Sequence, residues 1–238
     1  MRKKSDHQKP LLPLDHWSAP STFPAPPDTA TLHVWRIDLD RKGVRDCLSE
    51  DEQARAARLH PRARQRFIAG RSAMREILAA YGLSDPADLR FRYNRNGKPL
   101  LDDLPLGFNL AHSGALGLLA VGASQRIGVD IEQIRPLPRL EHIAQRLFDH
   151  ETQTRLMAVA AGEARTEAFL QEWTRLEASV KAIGSGIFQS RQTYTRERHA
   201  DATHHLSFRI AHRAIGALAV VGGDMDLPNA IPLIWPCA

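Results

Sequence analysis

Apolar and polar residues alternate from position 31 to 39, where Leu32, Val34, Ile37 and Leu39 frame Trp35, and this pattern predicts a strand. Ser49 then stands before Asp51 and Glu52, a helix start. A strongly basic helix is predicted to follow, with Arg55, Arg58, Arg62, Arg64 and Arg66. The helical spacing resumes through Phe67, Ile68, Met74, Ile77 and Leu78 and is predicted to stop at Tyr81-Gly82, with the glycine as the residue past the end. A loop carrying Asn96-Gly97-Lys98-Pro99 leads into Phe108-Asn109-Leu110-Ala111-His112-Ser113-Gly114 and an apolar strand over 116–121. One hundred residues later Ala211-His212, Leu218 and Val221-Gly222 line up with Ala111-His112, Leu118 and Val121-Gly122, a faint internal repeat that suggests two similar halves.

The ends of the chain lack such periodicity. Pro10, Pro13, Pro20, Pro24, Pro26 and Pro27 block helices and remove strand donors, so residues 1–30 are expected to form an extended or disordered arm. Pro228, Pro232 and Pro236 suggest that 224–238 is a tail along the surface. Between them the expected units are 31–124 and 125–223. The 238 residues are 43% hydrophobic and 25% charged, the balance of an ordinary soluble protein, and a net charge of +5 favours anionic partners. With Cys47 and Cys237 alone, neither a disulfide framework nor a cysteine metal site is supported. Arg2, Lys3 and Lys4 are not followed by an apolar run, and no stretch reaches the ~18 apolar residues of a membrane span, so a cytoplasmic protein is expected.

Two segments carry chemistry. In Gly128-Val129-Asp130-Ile131-Glu132, apolar and acidic residues alternate, and the period of a strand puts Asp130 and Glu132 on one face. Carboxylates held that close repel unless a cation lies between them, and an all-oxygen set suits Mg²⁺ or Mn²⁺. In the helix 172–183, ended by Gly184-Ser185-Gly186, Trp173, Glu177 and Lys181 share one face at i, i+4 and i+8. Each piece alone has a plainer reading. A lone Asp-x-Glu is usually a polar strand edge, Glu177 with Lys181 an ion pair of ~0.3–0.5 kcal/mol, Trp173 a core anchor and an arginine-rich helix a solvated face.

Together, in this order and roughly forty-five residues apart, the two segments resemble the marks of the 4′-phosphopantetheinyl transferase family, G-[IV]-D-[ILV]-E followed by W-x-x-K-E-A-x-x-K-x-x-G-x-G. Gly97-Lys98-Pro99, the 108–114 segment and the basic stretch 66–75 stand where the larger, single-chain type of that family has its own. The resemblance spans about 32–222. It implies an α+β fold of two similar halves, a pseudo-dimer in which each small antiparallel sheet packs on a long helix and the active site lies in the cleft between. It also implies a monomer that moves the phosphopantetheine arm of coenzyme A onto a serine of an acyl or peptidyl carrier protein. By the same resemblance Asp130, Glu132 and Glu177 would hold Mg²⁺, and Glu177, with Glu151 as the other candidate, would take the serine proton. Lys181 would assist the departing 3′,5′-ADP, His112 would donate to a phosphate oxygen, and Arg66, Arg71 and Lys98, with Arg58 a weaker candidate, would clamp the coenzyme A phosphates. Two positions depart from the pattern: Leu176 replaces the lysine before the glutamate, and Ala111 replaces the serine before the histidine.

Three other readings stay open. They are a basic nucleic-acid-binding protein, for which aromatics at 6% offer few stacking platforms; and, from the motif residues and not from composition, a magnesium-dependent phosphoesterase using the same acids to activate water and an inactive coenzyme A-binding relative, kept open by Leu176.

Overall fold

Thr31–Asp38 (β2) turns Trp35 and Ile37 to one side and Leu32 and Val34 to the other, and all four are buried, so this strand is covered on both faces. The structure, a computed structural model, describes residues 12–13, 16–101, 104–123, 126–184, 203–210, 213–222 and 229–236. Leu116–Gly122 (β6) pairs antiparallel with both β2 and Gly107–Ser113 (β5), while Asn229–Ile234 (β10) adds a parallel edge, giving the order β10-β2-β6-β5. Pro61–Gly82 (α2) lies on the Trp35 face, where Ala73, Met74, Ile77 and Leu78 meet Ile37, Leu119 and Val121.

A second sheet repeats this plan. Ile127–Gln133 (β7), Ala214–Val221 (β9) and Thr203–Ile210 (β8) are antiparallel neighbours, with Leu12–Pro13 (β1) as a parallel edge, in the order β1-β8-β9-β7. Glu163–Ile183 (α5) packs on one face, its Ala178 and Ala182 against Ala217, Ala219 and Val221. The small alanine surfaces let helix and sheet approach closely. The opposite faces of the two sheets meet in one core, Leu32, Val34, Leu118 and Ala120 against Ile127, Val129, Ile131, Phe208 and Leu218. The layers therefore run helix, sheet, sheet, helix. In each sheet a strand is followed by the long helix and then a hairpin whose second strand pairs with the first, and Leu118 and Leu218 of the faint repeat sit in the two central strands. Ala211 and His212 lie outside the described residues.

Smaller elements fill the flanks. Glu50–Ala57 (α1) precedes α2, and Phe91–Tyr93 (β3) pairs with Pro99–Leu101 (β4) as a hairpin. Leu140–Leu147 (α3) and His150–Ala158 (α4) cover α5 through Leu140, Ala144, Leu156, Phe169 and Leu170.

Three expectations are corrected. The basic helix is two helices, because His60 is extended and Pro61 starts α2 afresh, where its missing N–H costs nothing. The left-handed residue that ends α2 is the exposed Leu83 (φ 51°), with Gly82 still helical. The segment 224–238 is not merely a surface tail, since Asn229–Ile234 pairs in parallel with β2 from Thr31 to Arg36. At the other end Leu12–Pro13 pairs with β8, and Phe23 stacks on Trp35, with ring centroids 5.4 Å apart. Among the described residues no helix is long and apolar enough to cross a membrane.

Candidate active site

The face that β7 turns toward α5 is set by Gly128. A Cβ there would fall 1.9 Å from the carbonyl oxygen of Ala178 and 2.6 Å from the amide of Ala182, so only a glycine lets α5 lie this close. Side chains two and four positions on, Asp130 and Glu132, share that face. Lys181, one turn beyond Glu177, reaches across and its Nζ lies 2.5 Å from Asp130 Oδ1. The sequence-predicted face of α5 and the sequence-predicted face of β7 thus meet.

Electrostatics show how tightly the acids are gathered. Burial pushes the Glu177 carboxyl up to about 7; the neighbouring Asp130 and Glu132 charges add to the rise, and Lys181 opposes it. Burial also raises Asp130, to about 6, against the pull of Lys181 and with a further push from Glu132. Both side chains are buried, and Asp130 Oδ2 has no hydrogen-bond partner among the described residues. A buried carboxylate oxygen without a donor is costly, which makes it a natural ligand for a cation. Among the described residues, however, no three His, Cys, Asp or Glu side chains form a ready-made metal cage.

The first sheet supplies the other side. Asn109 Oδ1 accepts from the Val129 amide at 2.9 Å, tying β5 to β7. Ser113 Oγ donates to Glu132 Oε2 at 2.9 Å and accepts from the Gln133 amide at 3.1 Å. Sequence reasoning gave Ser113 no role, although the strand period from Asn109 would have put it on the same face. His112 is exposed at the rim. Its imidazole is held below the ordinary histidine range by partial desolvation first, then by the Lys181 and Arg66 charges, with Glu132 opposing. Arg66 therefore stands near this rim, while its guanidinium donates to both oxygens of Asp40 at 2.7 and 3.1 Å.

Other predicted residues sit apart from the acids. Arg71 turns to Glu52 (3.6 Å) and the Phe67 ring, and Arg58 is an exposed residue at the end of α1. Glu151 is exposed in the first turn of α4 and pairs with Arg155 at 3.5 Å, so the structure does not bring it to Glu177. Lys98 donates to the carbonyls of Ile127 and Ala182, at 2.9 and 3.2 Å. Ser185 and Gly186 of the helix-ending motif lie outside the described residues.

The model of the 4′-phosphopantetheinyl transferase superfamily matches residues 126–219, the stretch that carries β7, α5, β8 and β9. The 4′-phosphopantetheinyl transferase HetI of Nostoc sp. is 39% identical over 179 residues, covering 69% of this chain and 75% of that protein. The chain belongs to the 4′-phosphopantetheinyl transferase superfamily. The 4′-phosphopantetheinyl transferases Sfp of Bacillus subtilis and AcpT of Escherichia coli are also similar, 30% identical over 154 residues and 32% over 150. They cover 64% and 63% of this chain, and 67% and 69% of the relatives.

As a 4′-phosphopantetheinyl transferase the chain departs from the motif at two places, and packing accounts for both. Leu176 is buried among Leu140, Phe148, Phe169 and Ile215, on the side of α5 that faces α3 and α4, so an apolar residue suits its position. Ala111 is buried in the core between the sheets. A cavity of about 940 Å³ lies at the far end of α5, lined by Ile134, Arg135, Leu137, Arg139, His142 and Gly162 among others. One wall, Ile134 and Arg135, directly follows the acid-bearing strand β7, and another, Gly162, precedes α5.

Proposed function

We propose that this transferase moves the 4′-phosphopantetheine arm of coenzyme A to a serine of an apo acyl or peptidyl carrier protein and releases 3′,5′-ADP. The observation that carries this reading is the meeting of Asp130, Glu132 and Glu177 with Lys181 on the facing sides of β7 and α5, with one Asp130 oxygen buried and, among the described residues, unpartnered. Asp130, Glu132 and Glu177 would hold Mg²⁺, or Mn²⁺, since the donor set is all oxygen. When bound, the cation would neutralise pyrophosphate charge and act as a Lewis acid toward the transferred phosphoryl group.

The protein's own groups supply the proton movements. The serine oxygen bonds to the β-phosphorus as the bond from that phosphorus to the bridging oxygen breaks, and the serine proton passes to a base. Glu177, buried beside Asp130 and one turn from Lys181, would serve as that base, while Glu151 is exposed in α4 and pairs with Arg155. Lys181 would donate to the departing 3′,5′-ADP, and His112 and Arg66 at the rim would bind phosphate oxygens, Arg66 after exchanging Asp40 for the ligand. The two sheets, alike in connectivity, are read as the halves of a single-chain pseudo-dimer that works as a monomer, with the cleft between β5 and β7. The net charge of +5 would steer an acidic carrier domain.

The test is direct. Incubated with Mg²⁺, coenzyme A and an apo carrier protein, the chain is expected to add the mass of one phosphopantetheine arm to the carrier. Glu177→Gln should reduce this by at least ~100-fold with an unchanged melting temperature. Full activity in that variant would remove Glu177 from the reaction.

A further inference from the structure

We propose that Lys98, with Asn94 and Asn96, is a positioning clamp on the catalytic end of α5 and does not serve as a phosphate ligand; this rests on the function proposed above. A helix leaves its last carbonyls without partners, and at the end of α5 they are met from the other half of the molecule. Asn94 Nδ2 and Asn96 Nδ2 both donate to the Gly184 carbonyl, at 3.1 and 2.6 Å. Lys98 Nζ donates to the Ala182 carbonyl on α5 and to the Ile127 carbonyl on β7. One ammonium therefore bonds both elements that carry the acids. Its contacts lie next to Lys181 on the helix and three residues before Asp130 on the strand.

The turn that presents these donors is itself fixed. Asn94 Oδ1 accepts from the amides of Asn96 and Lys98, each at 2.9 Å, and Gly97 takes the positive φ of 82° that closes the loop. On the receiving side Gly184 has φ 75°, and a Cβ there would come within 2.6 Å of Asn94 Nδ2, so the glycine admits the clamp. Lys98 also sits at the negative end of the helix dipole, which offsets part of the cost of taking an ammonium from water. Burial nonetheless lowers it to about 8. With two of its protons already on carbonyls, Lys98 holds the Lys181–Asp130 contact in register, and phosphate binding falls to the rim.

The experiment compares Lys98→Met and the uncharged double variant Asn94→Ala/Asn96→Ala with the wild type. It measures kcat, KM for coenzyme A, binding of 3′,5′-ADP by calorimetry and hydrogen exchange of residues 179–184. A clamp predicts that kcat falls ~100-fold in Lys98→Met and ~10-fold in the double variant, with KM and 3′,5′-ADP affinity within about threefold of wild type. It also predicts faster exchange at 179–184 in both. A phosphate ligand predicts the reverse: 3′,5′-ADP affinity lost by more than ~10-fold in Lys98→Met, and a silent double variant, and either result overturns the clamp. If Lys98→Met does not fold, the double variant carries the same comparison. Absence of transfer by the wild type would refute the proposed function, while the exchange of 179–184 would still decide whether the clamp exists.

Discussion

Replacing Gly128 with alanine puts one methyl group where β7 and α5 touch. Its carbon would lie 1.9 Å from the Ala178 carbonyl oxygen, and ordinary contact begins near 3.4 Å, so the helix has to retreat by 3.4 − 1.9 = 1.5 Å. Neither neighbour is a flexible side chain; both are backbone atoms of α5. Overpacking of this kind costs typically ~1–3 kcal/mol, and with no side chain to yield the upper end applies. For a chain of this size that is a fall in melting temperature of roughly 6–12 °C. The catalytic effect is larger, because the retreating segment carries Glu177 and Lys181, and an error of ~1 Å at a reacting centre costs about 100-fold in rate. Thermal unfolding followed by circular dichroism and a carrier-loading assay would read both numbers. Gly70→Ala is the control: its Cβ would meet Leu39 Cδ2 at 3.3 Å, a side chain that can shift, in a helix where alanine is favoured. A Gly128→Ala protein that melts within about 2 °C of wild type and loads carriers at full rate would refute the close-approach argument.

Restoring the family's lysine with Leu176→Lys should lower stability by ~2 kcal/mol or more, because the ammonium would enter an apolar cluster, and should not raise the transfer rate; a faster enzyme with an unchanged melting temperature would contradict this. Acid should destabilise the fold through His33. That buried ring sits 2.6 Å from Tyr81 Oη, which also accepts from Trp35, and burial holds the imidazole below its ordinary pKa near 6.5. Since the unfolded chain binds the proton first, this stability is complete above pH ~6.5 and is lost as pH falls from there toward the lowered folded value. Melting temperatures from pH 7.5 to 5 should decline, and His33→Gln should flatten the decline; an equal slope in both proteins would clear His33 of the effect.

Much of the site was legible because it is written in element periods. Val129 and Ile131 had to face a core, which put Asp130 and Glu132 together on the other side, and the spacing of Glu177 and Lys181 fixed one helical face. What a period leaves open is which surface stands opposite. The partners of Lys98 are carbonyls 29 and 84 residues away, and a loop lysine gives no local sign of them. The edge strands were missed for the same reason. Leu12–Pro13 and Asn229–Ile234 each pair in parallel with a strand remote in sequence, and their prolines read as breakers although edge positions tolerate them. Glu151 was named only as the other candidate base by the resemblance, and no period of its own segment tied it to Glu177; it lies exposed in the first turn of α4 beside Arg155. Leu176 looked like a lost cation until α3 and α4 were seen to cover that side of α5.

Crystals of the protein grown with Mn²⁺ and coenzyme A would allow anomalous diffraction at the manganese edge. We expect one peak bounded by carboxylate oxygens of Asp130, Glu132 and Glu177, with the Lys181 ammonium turned from Asp130 toward the phosphates. A manganese ion held elsewhere, with Lys181 still on Asp130 while coenzyme A is bound, would contradict the assignment of this acid cluster as the centre of phosphopantetheine transfer.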